Sequence, residues 1–410
     1  ILPVNHRGAV DRHLYVSPKL ASIRNESENF VAKALSFIKE QYGIMLRIGV
    51  EVECYALDEH GHPITELDCK QVQVQLEQFG VEKFWHENYH DRKGQYEFSV
   101  GMKFGEDPLD VLKKAEAIRQ ELINHPEKFG VHSFNFKAYP FEKKEPSSVQ
   151  ISLSFLDEKG TILSADPRGN VTVLTYCIAQ GILMMQQNAA LLFTQNSDAF
   201  ARFGTSAWAP SIIASAKTGE NQSTLKIVSS KNSMDHDKSS MVRIEERMAG
   251  ADADMMIVFA ALLAGVRYSL SRDVTVVKDE ADANANAVTL NSERMHAGDR
   301  CLQVERLSHT LAQLELPRTL DKAVQRWQCM PQEIRDIFGP DFVKLVDEQL
   351  SQSVTYKAAE EQGNFAAAYA NLHAMKKDFT ADKEVGLRVS SWRQAITRSR
   401  LIEALNIPVR

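Results

Sequence analysis

The sequence predicts an α+β protein with a mainly antiparallel sheet, and two kinds of segment predict it. Residues 147–156 alternate apolar and polar side chains, which is typical of a β-strand with two unlike faces. Residues 173–193 and 251–270 are long apolar segments with the spacing of buried helices. Antiparallel pairing is the expectation for the sheet, and the pattern leaves mixed or parallel pairing open.

The first part of the chain predicts a helix followed by an acidic strand. Residues 25–42 place apolar side chains at helical intervals, and a strand follows over 45–57. In this strand Glu51 and Glu53 are two residues apart, so both carboxylates project from the same face.

Two further strands are predicted to carry charged residues. Residues 95–100 form the first of these strands and contain Glu97. A polar segment over 229–240 predicts a turn before the second. The charged residues of this second strand alternate along it: Arg243, Glu245 and Arg247. The chain from 302 to 407 is predicted to be mainly helical with charged faces.

Composition and charge limit the function classes. With 410 residues and 44% hydrophobic residues, the chain can bury a large core. The formal net charge is −6 and there is no long basic run, so nucleic acid is not an expected partner. The five cysteines lack CxxC spacing, which disfavours a disulfide framework or a zinc ribbon and indicates a cytoplasmic protein with reduced thiols. The longest apolar run, 255–266, is shorter than the roughly 20 residues that cross a bilayer, so no membrane partner is expected.

The acidic strand residues are candidates for a metal site. Glu51, Glu53, Glu97 and Glu245 could converge on a hard cation that prefers oxygen ligands. For each glutamate alone, a solvated strand residue is the simpler interpretation. The apolar neighbours of these residues favour the metal site, because an unpaired carboxylate on a buried strand costs free energy.

Three short motifs, taken in order, are similar to those of one enzyme family. Residues 49–53 (GVEVE) are similar to a Gly-x-Glu-x-Glu strand, residues 94–97 (GQYE) to Gly-Gln-x-Glu, and residues 243–247 (RIEER) to Arg-x-Glu-x-Arg. Together they resemble the glutamine synthetase family, over approximately residues 17–400. The resemblance implies a curved, mainly antiparallel sheet that forms a funnel-shaped active site with flanking helices.

The resemblance also implies how the chain is organised. Residues 1–44 would form an N-terminal segment with a lead-in helix, 45–300 the catalytic region, and 301–410 a helical C-terminal part of the same domain. The small amino-terminal β-domain of the family is expected to be absent or truncated, because few residues precede Glu51. A homo-oligomer is compatible with the resemblance.

Two divalent cations, Mg²⁺ or Mn²⁺, are implied by the resemblance. The side chains implied for the first ion are Glu53, Glu97 and Glu87. Those implied for the second ion are Glu51, Glu245 and Gln150. The second ion would touch the phosphates of ATP and offset the charge that develops during phosphoryl transfer.

Arginines and hydroxyl groups are implied to bind the substrates. Arg243 would approach the phosphates, and Arg202 and Arg247 would orient a substrate carboxylate, which a guanidinium can grip through two parallel hydrogen bonds. An ordinary cross-strand ion pair is the alternative for Arg243 and Arg247. The other residues implied for the nucleotide site are Ser152, Ser154, Gln222 and Lys226, of which the last two stand where the family has a pair of arginines.

The sequence departs from the family pattern where the family handles metal and ammonia. Residues 150–154 (QISLS) stand in place of His-x-His-x-Ser, so the neutral Gln150 replaces a histidine ligand. Residues 145–146 (EP) replace the glutamate-binding Asn-Gly, which disfavours free glutamate as a substrate. Trp208 replaces the flap carboxylate that takes a proton from ammonium. Its indole would pack on a larger or cationic amine, or fill the vacated space.

Three functions follow from these observations. The leading hypothesis is an ATP-dependent carboxylate–amine ligase that forms an amide through an acyl phosphate, with an amine larger than ammonia or carried by a protein. The second is a catalytically impaired nucleotide-binding or scaffolding descendant of the same fold. The third is a kinase that phosphorylates a guanidino or carboxylate group.

Overall fold

The computed structural model describes most of the chain. The described residues are 18–87, 94–103, 105–142, 144–166, 169–195, 197–211, 216–218, 221–228, 242–276, 288–290, 316–348 and 350. Those between 27 and 338 belong to one compact unit, and 18–26 with the described residues after 338 belong to a second. The predicted turn over 229–240 and most of the predicted helical part over 302–407 lie outside the described residues, and the implied division into domains stays a prediction.

The larger unit contains a sheet of eight strands. Their bounds are β1 Ile44–Leu57, β2 Lys83–His86, β3 Gln95–Gly101, β4 Ser133–Asn135, β5 Val149–Asp157, β6 Ala216–Thr218, β7 Leu225–Val228 and β8 Arg243–Glu246. Two short strands, β9 Val274–Val276 and β10 Val288–Leu290, pair with each other. The three strands that the sequence predicted up to residue 157 begin and end within two residues of the observed bounds.

The strands of this sheet lie in the order β2-β3-β1-β5-β8-β7-β6, and β4 pairs with β1. Among the described strands, the pairs of this sheet are antiparallel except β6 with β7, which are parallel. The predicted α+β class with a mainly antiparallel sheet is therefore confirmed. The alternating strand β5 therefore lies between β1, which carries Glu51 and Glu53, and β8, which carries Glu245, while β3 with Glu97 lies on the other side of β1.

Helices account for most of the remaining described residues. Their bounds are α1 Pro18–Tyr42, α2 Cys69–Leu76, α3 Pro108–Asn124, α4 Val173–Asn188, α5 Ala190–Phe193, α6 Ser197–Ala201, α7 Met255–Asp273, α8 Leu320–Gln328 and α9 Gln332–Phe338, and residues 340–348 are also helical. The helix predicted over 173–193 is present but breaks at Ala189, and the helix predicted over 251–270 begins at Met255. None of the described helices combines the length and the apolar character that a bilayer crossing requires.

Helices α4 and α7 pack through glycines. A Cβ atom built on Gly181 would lie 2.2 Å from the carbonyl oxygen of Gly265 and 2.1 Å from Ser269 Oγ. Because real Cβ atoms do not approach other atoms so closely, only a glycine fits at this crossing. The main chains of the two buried helices are therefore in direct contact.

Candidate active site

The sheet brings the predicted charged residues together by register. Glu53 faces Glu97 across the β1–β3 pair, and Glu51 faces Gln150 across the β1–β5 pair. Ser152 in turn faces Glu245 across the β5–β8 pair. Because side chains alternate along each strand, these residues share one side of the sheet, which we call the polar face.

One half of the polar face is made of carboxylates, and we call Glu53, Glu87 and Glu97 the carboxylate end. The side chains of Glu53 and Glu97 are buried, and Glu53 Oε2 accepts hydrogen bonds from Ser148 N at 2.7 Å and Ser148 Oγ at 2.8 Å. Burial, followed by the nearby carboxylates and a hydrogen bond with Glu87, raises the pKa of Glu97 well above its usual range.

Glu87 reaches this end from the residue after β2. Its main-chain N–H donates to the carbonyl of Gln95, and its Oε1 accepts from Trp85 Nε1 at 2.5 Å. The structure therefore brings Glu87 beside Glu97, although the segment between them contains residues 88–93 outside the described part.

The other half of the polar face pairs its carboxylates with cations, and we call Glu51, Gln150, Arg243, Glu245 and Arg247 the arginine end. Glu245 Oε1 lies 2.5 Å from Arg247 Nη1, and Glu245 Oε2 lies 3.8 Å from Arg243 Nη2. Burial and then the Glu245 carboxylate raise the pKa of Glu51, and Arg243 opposes this increase.

The guanidinium of Arg247 is engaged on all three of its nitrogens. Nη1 donates to Gln150 Oε1 at 2.8 Å as well as to Glu245. Nε donates to the carbonyl of Asn221 at 3.2 Å, and Nη2 donates to the carbonyl of Trp208 at 3.0 Å. The role that the resemblance implies for Arg247, the binding of a substrate carboxylate, would require some of these bonds to be exchanged.

Arg202 is buried beside the main chain that follows β8. It is 2% exposed, and its Nη1 and Nη2 donate to the carbonyls of Met248 at 2.7 Å and Arg247 at 3.0 Å. Burial lowers the pKa of Arg202 to about 10, against the opposing effect of the Glu53 carboxylate, so the side chain stays charged at neutral pH. These two bonds hold the main chain after β8, and the implied binding of a substrate carboxylate by Arg202 stays a prediction.

An open cleft of about 320 Å³ adjoins the arginine end. The polar residues of its lining are Arg47, Glu51, Glu82, Ser99, Ser152, Ser154 and Arg243. Ser154 Oγ accepts from Arg47 Nε at 3.2 Å, and Ser152 Oγ accepts from Arg243 Nε at 3.3 Å. Two arginines and three hydroxyl groups can together bind a polyanion such as a triphosphate.

Sequence reasoning missed Arg47. This arginine is two residues before Gly49 and four before Glu51, so the period of a strand places it on the same face as the glutamate. That spacing was the signal that could have identified it.

Three other predicted residues surround the arginine end. Lys226 Nζ is 4.0 Å from Glu245 Oε1, whereas Gln222 is exposed and contributes its carbonyl to Ser211 N. Trp208 is 39% exposed, so its indole is accessible in part while its carbonyl holds Arg247.

Comparison with known proteins adds to this geometry. Residues 70–348 match the family described as glutamine synthetase, catalytic domain, which is more than half of the chain. The chain belongs to the glutamine synthetase catalytic-domain family. The resemblance read from the motifs is confirmed.

Individual members of the glutamine synthetase family are distant from this chain. Gamma-glutamylputrescine synthetase PuuA of Escherichia coli (strain K12) is 24% identical over 189 residues, which are 46% of this chain and 38% of that protein. Two solved structures share the fold. The Plasmodium falciparum glutamine synthetase has a TM-score of 0.58 at 12% identity, with 81% of this chain and 77% of that chain covered. A GmaS/ADP complex has a TM-score of 0.55 at 15% identity, with 81% and 74% covered.

The donor set fits the divalent cation of the glutamine synthetase family at the carboxylate end. Carboxylate oxygens are the ligands that Mg²⁺ and Mn²⁺ prefer, and the pKa of Glu97 is raised by burial and then by neighbouring carboxylates, whose repulsion a cation would relieve. Within the described ranges, no three histidine, cysteine, aspartate or glutamate side chains are already spaced to hold an ion. At the arginine end, two of the oxygens implied as ligands, Gln150 Oε1 and Glu245 Oε1, already accept hydrogen bonds from Arg247.

Proposed function

We propose that the chain is an ATP-dependent carboxylate–amine ligase that uses an amine other than ammonia. The single observation that carries the proposal is the register of β3, β1, β5 and β8, which lines up the four strand glutamates beside an arginine-lined cleft. Membership of the glutamine synthetase family supports this function.

The proposed reaction has two steps. An oxygen of the substrate carboxylate attacks the γ-phosphorus of ATP, which forms an acyl phosphate and releases ADP. The amine nitrogen then attacks the acyl carbon, the bond to phosphate breaks, and the amine loses a proton to solvent as the amide forms. When bound, a divalent ion held by Glu53, Glu87 and Glu97 would neutralise phosphate charge. Arg47 and Arg243 would hold phosphate oxygens, and Lys226 would add a third positive charge.

The amine site supports an amine that is larger than ammonia. Trp208 cannot accept a proton, and its partly exposed indole offers a flat surface to an aliphatic or cationic group. The similarity to a synthetase named for putrescine agrees with a cationic amine.

A catalytically impaired nucleotide-binding protein is the second candidate, and one observation favours it. Arg247 and Arg202 donate to acceptors of the protein itself, where the resemblance implies contact with a substrate carboxylate. A protein of this kind would keep the cleft and lose turnover.

Release of ADP from Mg²⁺-ATP tests the proposal. We expect release that needs both a carboxylate and an amine, with mass spectrometry detecting the amide and with putrescine more effective than ammonia. Release that yields a stable phosphorylated carboxylate without amine incorporation would instead identify a kinase. ATP binding without ADP release under any pairing would identify the second candidate.

A further inference from the structure

The two cation positions implied by the family differ in what already lies in them. At the arginine end, one nitrogen of Arg247 donates to both Gln150 and Glu245, at 2.8 and 2.5 Å. These are two of the three side chains implied for the second ion. The Arg247 guanidinium is thus bonded to two of the side chains that the second ion would need.

Two further hydrogen bonds hold Arg247 in this position. Its remaining nitrogens donate to the carbonyls of Trp208 and Asn221, which lie on loops outside the strand. A divalent ion at the arginine end would have to displace a buried guanidinium and leave these two carbonyls without their donors, which costs free energy.

Charge also disfavours an ion at the arginine end. Glu51 and Glu245 supply two negative charges, and Arg243, Arg247 and Lys226 bring three positive charges to Glu245. The carboxylate end differs, because the groups that act on Glu97 there are carboxylates, and the guanidinium of Arg202 acts on Glu53. Three carboxylates beside one guanidinium attract a divalent cation more strongly than the arginine end does.

The replacement of histidine by Gln150 has a physical reason in this arrangement. An amide oxygen is a good acceptor for a guanidinium, whereas a neutral imidazole nitrogen is the common ligand of a transition metal. Gln150 Oε1 is used in the first way.

We infer that the chain binds one divalent cation, at the carboxylate end, and that the guanidinium of Arg247 takes the place of the second. The inference rests on the proposed function for the identity of the site, but it concerns the number of ions and is measured without turnover. A failure of the proposed function and a failure of the inferred number of ions can therefore be distinguished.

Titration of the purified chain with Mn²⁺ in the absence of nucleotide tests the number directly. The electron paramagnetic resonance signal of free Mn²⁺ reports how many ions the chain removes from solution. We expect one ion for each chain. Two ions, or none, would overturn the inference.

A matched pair of variants locates the ion. Glu97→Gln removes a carboxylate at the carboxylate end, and we expect the Kd for Mn²⁺ to rise at least tenfold. Glu245→Gln removes a carboxylate at the arginine end, and we expect a change of less than threefold. The reverse result would place the ion at the arginine end and overturn the inference.

A second pair tests the role of the guanidinium. Arg247→Met frees Gln150 and Glu245, so we expect a second Mn²⁺ to bind. Arg243→Met removes a cation near the same glutamate without freeing Gln150, and we expect one ion to remain. Circular dichroism checks that the Arg247→Met variant is folded. If the folded variant still binds one ion, the guanidinium does not take the place of a second ion. If this variant does not fold, the Glu97 and Glu245 pair decides.

Discussion

Both ends of the polar face contain glutamates, but the charged groups around these glutamates differ. Glu53 and Glu97 face each other, and the pKa of Glu97 is raised by carboxylates alone once burial is counted. Glu245 contacts Arg247, Arg243 and Lys226. The carboxylate end therefore keeps an excess of negative charge even with the Arg202 guanidinium near Glu53, whereas the arginine end has more cations than carboxylates. The difference means that replacing a glutamate by glutamine should weaken cation binding strongly at the carboxylate end and little at the arginine end.

The largest expected effect comes from Glu97→Gln, which tests the carboxylate end. Loss of a ligand should weaken transition-state stabilisation by about 4 kcal/mol, or about a thousandfold in the rate of ADP release. Without Mg²⁺ the variant should unfold at a higher temperature than the natural chain, because a repulsive charge is removed. Thermal unfolding with and without Mg²⁺ checks this. A variant that Mg²⁺ still stabilises as strongly as the natural chain would contradict the assignment.

Arg202→Met tests how much the bonds of this arginine to the main chain after β8 stabilise the fold. Two carbonyls would lose their donors, at a cost of about 3 kcal/mol in the free energy of unfolding. Urea unfolding measures this. Arg326→Met, at a partly exposed position of α8, is the matched control, and we expect it to change the free energy by less than about 0.5 kcal/mol. Equal effects of the two variants would exclude the structural role of Arg202.

Glu246 sharpens the comparison because it is the neighbour of Glu245 on the opposite face. Burial raises the pKa of Glu246 from 4.5 to about 7, although Met248 N and Ala249 N donate to its carboxylate. The folded chain thus binds this proton more tightly than the unfolded chain does. Its contribution to stability is complete below about pH 4.5 and is lost as the pH rises through about 7.

Glu246→Gln should remove this pH dependence. We expect the natural chain to lose about 2 kcal/mol more stability between pH 5 and pH 8 than the variant does. Unfolding by urea at the two pH values is the measurement. Parallel losses in both proteins would mean that Glu246 is ionised in the folded state throughout.

The smallest expected effect is at the cleft. Arg47→Met should weaken ATP binding about tenfold, or about 1.4 kcal/mol, because a charge-assisted contact to phosphate is lost. Adenosine binding, which involves no phosphate, is the control and should be unchanged in calorimetry. A similar loss for both ligands would mean that Arg47 shapes the cleft and does not contact phosphate.

The sequence predicted the elements better than it predicted the contacts. Strand period identified which residues share a face, and the resemblance to the family implied that Glu51, Glu53, Glu97 and Glu245 lie together. The bonds of Arg247 could not be predicted in this way, because its acceptors Asn221 and Trp208 lie on loops whose positions the pattern does not determine. The resemblance assigned Arg202 to a substrate carboxylate, and nothing in the sequence indicated its bonds to the main chain. Its acceptors are carbonyls, which have no signature in the sequence.

The glycine crossing of α4 and α7 has a consequence for how this protein can tolerate change. Gln186, on the same helix as Gly181, donates to Glu246 Oε1 behind β8. A methyl group at Gly181 would push α4 away from α7. The displacement of α4 would move Gln186 away from Glu246 on β8. The spacing of α4 and α7 therefore affects the position of β8. Substitutions at the glycine crossing would be selected against because they reduce activity as well as stability.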